Sequence, residues 1–356
     1  WRKIMKICFF NSCKVWGGGE KWHFETSKLM KENGHDVVIC GHKNSELALK
    51  AEKNFINFNK VNISNLTFLN ILKMINLIKY FKKERFDVII LNLPSDLKSA
   101  GIAAKIAGIK KIIYRRGMPH PIKGNFLNKF LFKNIINLVI ANSLEIKKSI
   151  NLFTKIFPEE KIEVLYNGMN FVEKKEKIVD ECIIFGNAGR LTHQKGQICL
   201  IKAARYLKEK GYNFKIVIAG KGELETYLND KIKENGVEKF VEIYGFIEKM
   251  DDFFHEIDIF SFPSYFEGSS NAMVEALAYG KPIVCFNTSS MPEMVQNNLN
   301  GFLAEYENQD DFNFCMEKFI LNKKLLKLMG EESYKIFLEK FTIEKMVSKL
   351  NDILKK

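Results

Sequence analysis

The sequence holds little that would hint at a metal, a disulfide or a membrane span. Its seven cysteines are scattered and none stands in a C-x-x-C pair, which argues against a disulfide framework and a zinc site. Buried thiols in a reducing cytoplasm are expected instead. There is no Asp-x-Asp triplet to hold a divalent ion. Apolar runs such as Ile135–Ala141 are far shorter than the roughly 18 residues a helix needs to cross a bilayer. Lys6 and the polar Asn11–Lys14 interrupt the first apolar stretch, so no signal peptide is expected. No Gly-x-Gly extends to G-x-G-x-x-G with an acid about 20 residues on, which disfavours an NAD(P) oxidoreductase. Neither disorder nor a repeat array is indicated, since 46% of the 356 residues are hydrophobic and 12% aromatic.

What is present fits two domains. The net charge of +13 is unevenly placed: residues 1–170 hold 29 Lys/Arg against 13 Asp/Glu, and residues 171–356 hold 26 against 29. A basic first half predicts an anionic partner, such as a membrane surface, a phosphorylated acceptor or nucleic acid. Apolar runs at Lys6–Asn11, Asp36–Cys40, Asp87–Asn92, Lys111–Tyr114 and Leu138–Ala141 read as strands. Helical stretches alternate with them, including Glu20–Asn33, Leu69–Lys83 and Ala100–Gly108. The pattern recurs in kind from Cys182–Asn187 through Lys215–Ala219, Val241–Gly245, Ile257–Phe262 and Pro282–Phe286. Such alternation predicts α/β architecture with mostly parallel, doubly wound sheets. The polar stretch Phe171–Asp180 is the expected linker, and the last helix runs from about Ile343 to Leu354.

In open α/β sheets ligands bind beyond the C-terminal strand ends. In the second half that edge collects Arg190, Lys195-Gly196, Gly220-Lys221-Gly222 and the loop Pro263–Ser270, which leads into the helix Asn271–Tyr279. Alone, each charge would be an ordinary solvated loop residue. Together they compose a nucleotide-diphosphate site. The helix start at Ser269–Asn271 offers backbone N–H groups and a positive dipole end to phosphate. Arg190 and Lys195 supply cations. Glu275, in the apolar run NAMVEALAYG one turn after Asn271, is costly to bury alone and suits two ribose hydroxyls. Glu267, at the loop tip, is placed to reach the transferred sugar.

The run Glu267-Gly268 … Glu275-Ala276, with seven residues between the glutamates, resembles the donor-site signature of the retaining GT-B glycosyltransferases of family 4, the glycosyl transferases group 1. Gly189-Arg190-Leu191 … Lys195-Gly196 resembles the family's diphosphate segment, and Gly220–Gly222 its Gly-x-Gly turn. Tyr244-Gly245-Phe246 resembles the stretch that lines the base. Ser289–Glu293 with Gly301, Val164–Gly168 and the glycine loop Gly17-Gly18-Gly19-Glu20 also match in order. The resemblance spans nearly the whole chain. It implies a GT-B fold, two Rossmann-like doubly wound domains facing each other across a cleft: 1–170 for the acceptor, 171–340 for the nucleotide sugar, and a helix 341–356 crossing back.

The implied donor-site residues are Glu275, Gly18, Gly19, Gly245, Phe246, Gly268, Ser269, Ser270 and Asn271, with Glu267, Arg190 and Lys195 catalytic. Where many members carry His-Gly after the strand at Lys111–Tyr114, this sequence has Arg116-Gly117. Arg115, Arg116 and His120 are therefore the acceptor or sugar candidates. The implied reaction moves a sugar from a nucleotide diphosphate to an acceptor hydroxyl with its anomeric configuration kept. The departing phosphate helps to deprotonate the acceptor on the same face. No metal or cofactor is implied beyond the nucleotide sugar as co-substrate. A GT-B nucleotide-sugar epimerase and a non-catalytic sugar-binding protein are the rival readings.

In Lys123–Lys133, Phe126, Leu127, Phe130 and Leu131 fall at helical spacing between lysines. That pattern fits a helix on an anionic leaflet or a core-facing helix with a basic outer side. Nucleic acid suits the charge but not the donor site. The expectation is a cytoplasmic enzyme, peripheral on the inner face of the cell membrane, with a saccharide, lipid-linked or lipopolysaccharide-type acceptor.

Overall fold

The computed structural model describes residues 4–118, 121–172 and 181–356. The chain divides into two compact units. One comprises Trp1–Tyr166 with Met346–Lys356, the other Asn167–Lys345. The boundary after Tyr166 precedes the expected break at residue 170. Of the expected linker, only Phe171 and Val172 lie within the described residues, and the Phe171 ring packs edge-on to Phe337 at 6.3 Å.

The first unit is built on β1 (Lys6–Asn11), α1 (Gly18–Glu32), β2 (Asp36–His42), α2 (Glu46–Lys53), β3 (Asn57–Val61), α3 (Ile71–Glu84) and β4 (Val88–Leu91). A short turn α4 (Pro94–Asp96) and a π-helical stretch, Leu97–Gly101, lead into α5 (Ile102–Ala107). Then follow β5 (Lys111–Arg116), α6 (Phe126–Asn134), β6 (Leu138–Ala141), α7 (Leu144–Ile150) and β7 (Ile162–Val164). The strands form one parallel sheet in the order β3-β2-β1-β4-β5-β6-β7. Every residue of β4 (VIIL) and β6 (LVIA) is buried, because helices cover both faces of the sheet. From Met346 on, the last helix belongs to this unit: Leu350, Ile353 and Leu354 are buried, and Asn351 Oδ1 lies 3.1 Å from His35 Nε2.

The second unit repeats the plan with β8 (Ile183–Ala188), α8 (Ile198–Glu209), β9 (Phe214–Ala219), α9 (Glu225–Glu234), β10 (Val241–Gly245), α10 (Met250–Glu256) and β11 (Ile259–Phe262). It continues with α11 (Asn271–Ala278), β12 (Ile283–Phe286), a four-residue α12 (Met291–Met294), β13 (Gly301–Ala304), α13 (Gln309–Leu321) and α14 (Lys324–Lys340). The closing helix α15 is Ile343–Lys355. The sheet order is β10-β9-β8-β11-β12-β13, all parallel. Order reverses between β8 and β11, the switch point where open α/β sheets leave a crevice. All seven cysteines are free.

Candidate functional site

The loops at the switch point of the second unit are tied to one another by hydrogen bonds. Beyond β8 the chain runs through Gly189 and Arg190 to a 3-10 turn, His193–Lys195. The Gly189 N–H donates to the Ala219 carbonyl at 3.0 Å and the Leu191 N–H to the Lys221 carbonyl at 3.1 Å, which joins this loop to the Gly-x-Gly turn. The third loop, after β11, closes on the first: the Tyr265 N–H and Ser264 Oγ both donate to the Gln194 carbonyl, each at 2.9 Å. Gly196 has φ +65°, and a Cβ there would stand 2.1 Å from the Pro263 carbonyl oxygen. Only glycine permits that approach.

Lys195 is held at the centre of this junction. Its ammonium donates to Glu267 Oε1 at 2.6 Å and sits 4.9 Å from the centre of the Phe262 ring. Ser264 Oγ lies 2.9 Å from the same carboxylate oxygen, its one proton shared between that oxygen and the Gln194 carbonyl, and Gln194 Nε2 donates at 3.5 Å. The Glu267 carbonyl in turn accepts from Ser290 Oγ at 3.1 Å. Glu267 is only 8% exposed, so it is not the exposed loop-tip acid that the sequence suggests. A carboxylate that takes a cation and two neutral donors aims the lysine. It spends one ammonium proton and leaves two for a ligand. Arg190, by contrast, is exposed.

Behind Glu267, Gly268 and Ser269 lead to α11. Ser270 is the N-cap, its Oγ accepting from the Met273 N–H at 3.4 Å. Ser270's side chain is thus spent on the helix, while the first-turn amides of Asn271 and Ala272 have no intrahelical acceptor. Ser269 Oγ is buried without a hydrogen-bond partner among the described residues. A buried hydroxyl without a partner beside a helix N-terminus suits an anionic or hydroxylated ligand. Asn271 Oδ1 accepts from Asn167 Nδ2 at 2.7 Å. Glu275, one turn on, is half-buried. The apolar neighbours that suggested a buried carboxylate, Met273, Val274, Ala276 and Leu277, face the other way. At the sheet edge, the Gly245 carbonyl accepts from the Gly220 N–H at 2.7 Å, and Phe246 is 71% exposed. Tyr244 donates to Glu256 at 2.6 Å, and burial followed by that carboxylate pushes its phenol up to about 12.

In the first unit the strand ends hold a second polar cluster. Gly18 and Gly19 open α1, and a Cβ on Gly19 would stand 2.8 Å from Asn92 Nδ2. Glu20 accepts from Asn11 Nδ2 at 3.0 Å and Asn92 Nδ2 at 3.3 Å. Arg115 is buried, its guanidinium 4.6 Å from the Trp22 ring centre and donating to Asn92 Oδ1 at 3.3 Å. Burial lowers Arg115 to about 10, against the pull of Glu20. Arg116 is half-buried and donates to the Met118 carbonyl at 3.4 Å. His120 lies outside the described residues. Sequence reasoning gave no site role to Asn11, Asn92 and Asp96, and met Glu20 only as the end of the glycine loop. Asp96 is fully buried, accepts from Ser12 Oγ at 2.5 Å, and is pushed up to about 7 by burial. For Asn11 and Asn92 the signal was a polar residue at the end of an apolar run, whereas Glu20 and Asp96 lie in α1 and α4.

Two family matches cover adjoining parts of the chain. Residues 16–172 match Glycosyltransferase Family 4, and residues 169–336 match Glycosyl transferases group 1. The chain belongs to the family 4 glycosyltransferases. Among curated relatives, the glycosyltransferase is 27% identical over 216 residues to an uncharacterized glycosyltransferase of Methanocaldococcus jannaschii, covering 56% of this chain and 55% of that protein. The match thus spans about half the length of that relative. It is 25% identical over 316 residues to the UDP-Gal:alpha-D-GlcNAc-diphosphoundecaprenol alpha-1,3-galactosyltransferase of Escherichia coli, covering 81% and 80%. In fold it resembles HepE of Anabaena, solved with UDP, at a TM-score of 0.86 and 19% identity over 99% of this chain and all of that one. The two Rossmann-like units are those of a GT-B glycosyltransferase.

Proposed function

We propose that this chain transfers a sugar from a nucleotide diphosphate to an acceptor hydroxyl with retention, in the synthesis of a cell-surface polysaccharide, lipopolysaccharide or glycolipid. The observation that carries the reading is Lys195, fixed by Glu267 beside the N-terminus of α11. An ammonium and a set of helix-end amides converge where a departing diphosphate gains charge, and preorganised donors of this kind stabilise such a leaving group. Arg190 adds an exposed cation, Glu275 takes the ribose, and Gly245–Phe246 lines the base. The chemistry asks for no resident metal. The Escherichia coli relative, named for UDP-Gal and a diphosphoundecaprenol-linked acceptor, supports a nucleotide-sugar donor and a lipid-linked acceptor.

The first unit is the proposed acceptor side, working against an anionic membrane surface. No helix among the described residues is long and apolar enough to cross a membrane. In α6, Leu131 and Phe132 are buried, while Phe126 is 87% and Phe130 41% exposed. The helix thus serves the core with one side and offers phenylalanines and lysines with the other. A groove of about 980 Å³ between it and the segment 151–161 is lined by Lys129, Lys133, Lys155 and Lys161, with Glu159 and Glu160 also on its wall.

The test is a transfer assay followed by proton NMR of the anomeric centre, run with excess chelator. The expected product keeps the donor's configuration, and the rate is unchanged by chelation. An inverted anomer, or strict dependence on magnesium or manganese, would contradict the proposal. Nucleotide release that is equally fast without acceptor would point to an epimerase or hydrolase.

A further inference from the structure

A second apolar surface lies on the first unit, apart from α6. Between Glu52 and Glu84 the chain has no carboxylate and six lysines. At the start of α3 and in the turn before it, Leu66, Leu69, Ile71, Leu72 and Ile75 are 68%, 65%, 73%, 75% and 41% exposed. They are not spare core residues, since α3 packs inward through Met74, Leu77 and Phe81. Single exposed aliphatics are ordinary on a protein surface, but five within ten residues form a patch.

The patch is held firmly. Asn70 caps α3, its Oδ1 accepting from the Lys73 N–H at 3.0 Å. Thr67 Oγ1 accepts from the Ser64 N–H at 2.8 Å and fixes the preceding turn. At 3.6 residues per turn, Ile71, Leu72 and Ile75 share the outward side of α3 with Lys79, Lys82 and Lys83, all exposed. That side is aliphatic at the helix start and basic roughly 10–16 Å further along the axis. The turn follows the C-terminal end of β3, on the sheet edge where β1, β4 and β5 present Asn11, Asn92 and Arg115.

We propose that Leu66–Ile75 is an insertion tip that seats the first unit in an anionic leaflet. The aliphatic side chains enter the boundary between headgroups and acyl chains, and Lys79, Lys82 and Lys83 lie against lipid phosphates. Charge selects this occupant over a second copy of the chain, whose matching segment between Glu52 and Glu84 offers no carboxylate to those lysines. The inference rests on the proposed membrane-presented acceptor and adds the surface that does the anchoring.

The test is co-sedimentation with phosphatidylglycerol–phosphatidylcholine vesicles at low and high salt. The proteins are the wild type, the triple variant Leu69→Ser, Ile71→Ser, Leu72→Ser, and the triple variant Lys79→Gln, Lys82→Gln, Lys83→Gln. Thermal melting should be alike in all three, because the altered side chains are exposed. The wild type is expected to bind at low salt and keep part of its binding at high salt. The serine variant should lose about tenfold or more at both, because apolar burial is not screened. The glutamine variant should lose binding chiefly at low salt. Equal binding by the wild type and the serine variant overturns the insertion tip and leaves the membrane reading standing. No binding by the wild type at either salt overturns both. A wild-type dimer that the serine changes dissociate, with vesicle binding unaltered, would make the patch a self-association surface and overturn the inference.

Discussion

Replacing Lys195 with methionine is expected to lower kcat by about 100-fold or more, while the Kd for the bare nucleoside diphosphate rises by only about tenfold. The asymmetry follows from when the charge appears. In the ground state the diphosphate's negative charge is shared with solvent and with the helix end. As the glycosidic bond breaks, one more charge accumulates on it, and the ammonium that Glu267 aims at 2.6 Å is set to meet it. Breaking the pair also has a structural cost, since the two side chains are only 15% and 10% exposed. An unpaired, largely buried carboxylate destabilises the fold. The double variant Lys195→Met, Glu267→Gln separates the two effects, because it removes both charges and keeps the volumes. Its melting temperature should return toward that of the wild type while its turnover stays low. Steady-state kinetics, calorimetric titration and thermal melting decide the matter. Near-normal turnover in the single variant would remove Lys195 from the chemistry.

Gly220→Ala should destabilise the second unit by about 3 kcal/mol or more, a fall in its melting temperature of roughly 10 °C. Gly220 has φ +151°, and a Cβ added there would stand 1.9 Å from the Gly189 carbonyl oxygen. That oxygen belongs to backbone at the junction of two loops, so it cannot swing aside as a side chain would. The alanine must push the Gly-x-Gly turn away from Gly189 and Arg190, and the site opens along with the fold. Gly18→Ala is the control, because a Cβ at Gly18 meets nothing within 4 Å. It should melt like the wild type. An equally small effect at Gly220 would show that the two loops are not held together as described.

Much of this was legible in the sequence, for a physical reason. Parallel strands covered on both faces are continuous apolar runs, so β1 and β6 fall where those runs predict, and most of the other strand limits are displaced by one or two residues. Of the four edge strands, β10 lies at its expected limits, and the other three carry no such run. β3 reads NFNKV and buries only its last residue fully, and β7 and β13 span three and four residues, so none was expected from pattern alone. Among the site residues, sequence could name the groups but not their partners. Glu267 reads as an exposed acid because glycine and serines follow it, whereas the fold turns it inward onto Lys195. Glu275 was legible with its face, because helical periodicity sets it one turn from Asn271, and the fold leaves it half-buried there. The Glu267 correction depends on which way a side chain leaves the backbone of a loop, and residue order does not state that.

The central claim is that the loops of the second unit cradle a nucleotide diphosphate, with its ribose on Glu275. Calorimetric titration of UDP against the wild type and Glu275→Ala tests it most directly, with inorganic pyrophosphate as a second ligand. The alanine removes the acceptor for the ribose hydroxyls and leaves Lys195 and the start of α11 untouched. UDP should therefore bind about 10- to 100-fold more weakly, a loss of roughly 1–3 kcal/mol, while pyrophosphate binds as before. UDP affinity unchanged by the substitution, or no measurable UDP binding to the wild type while another nucleotide binds with its affinity indifferent to residue 275, would contradict the assignment.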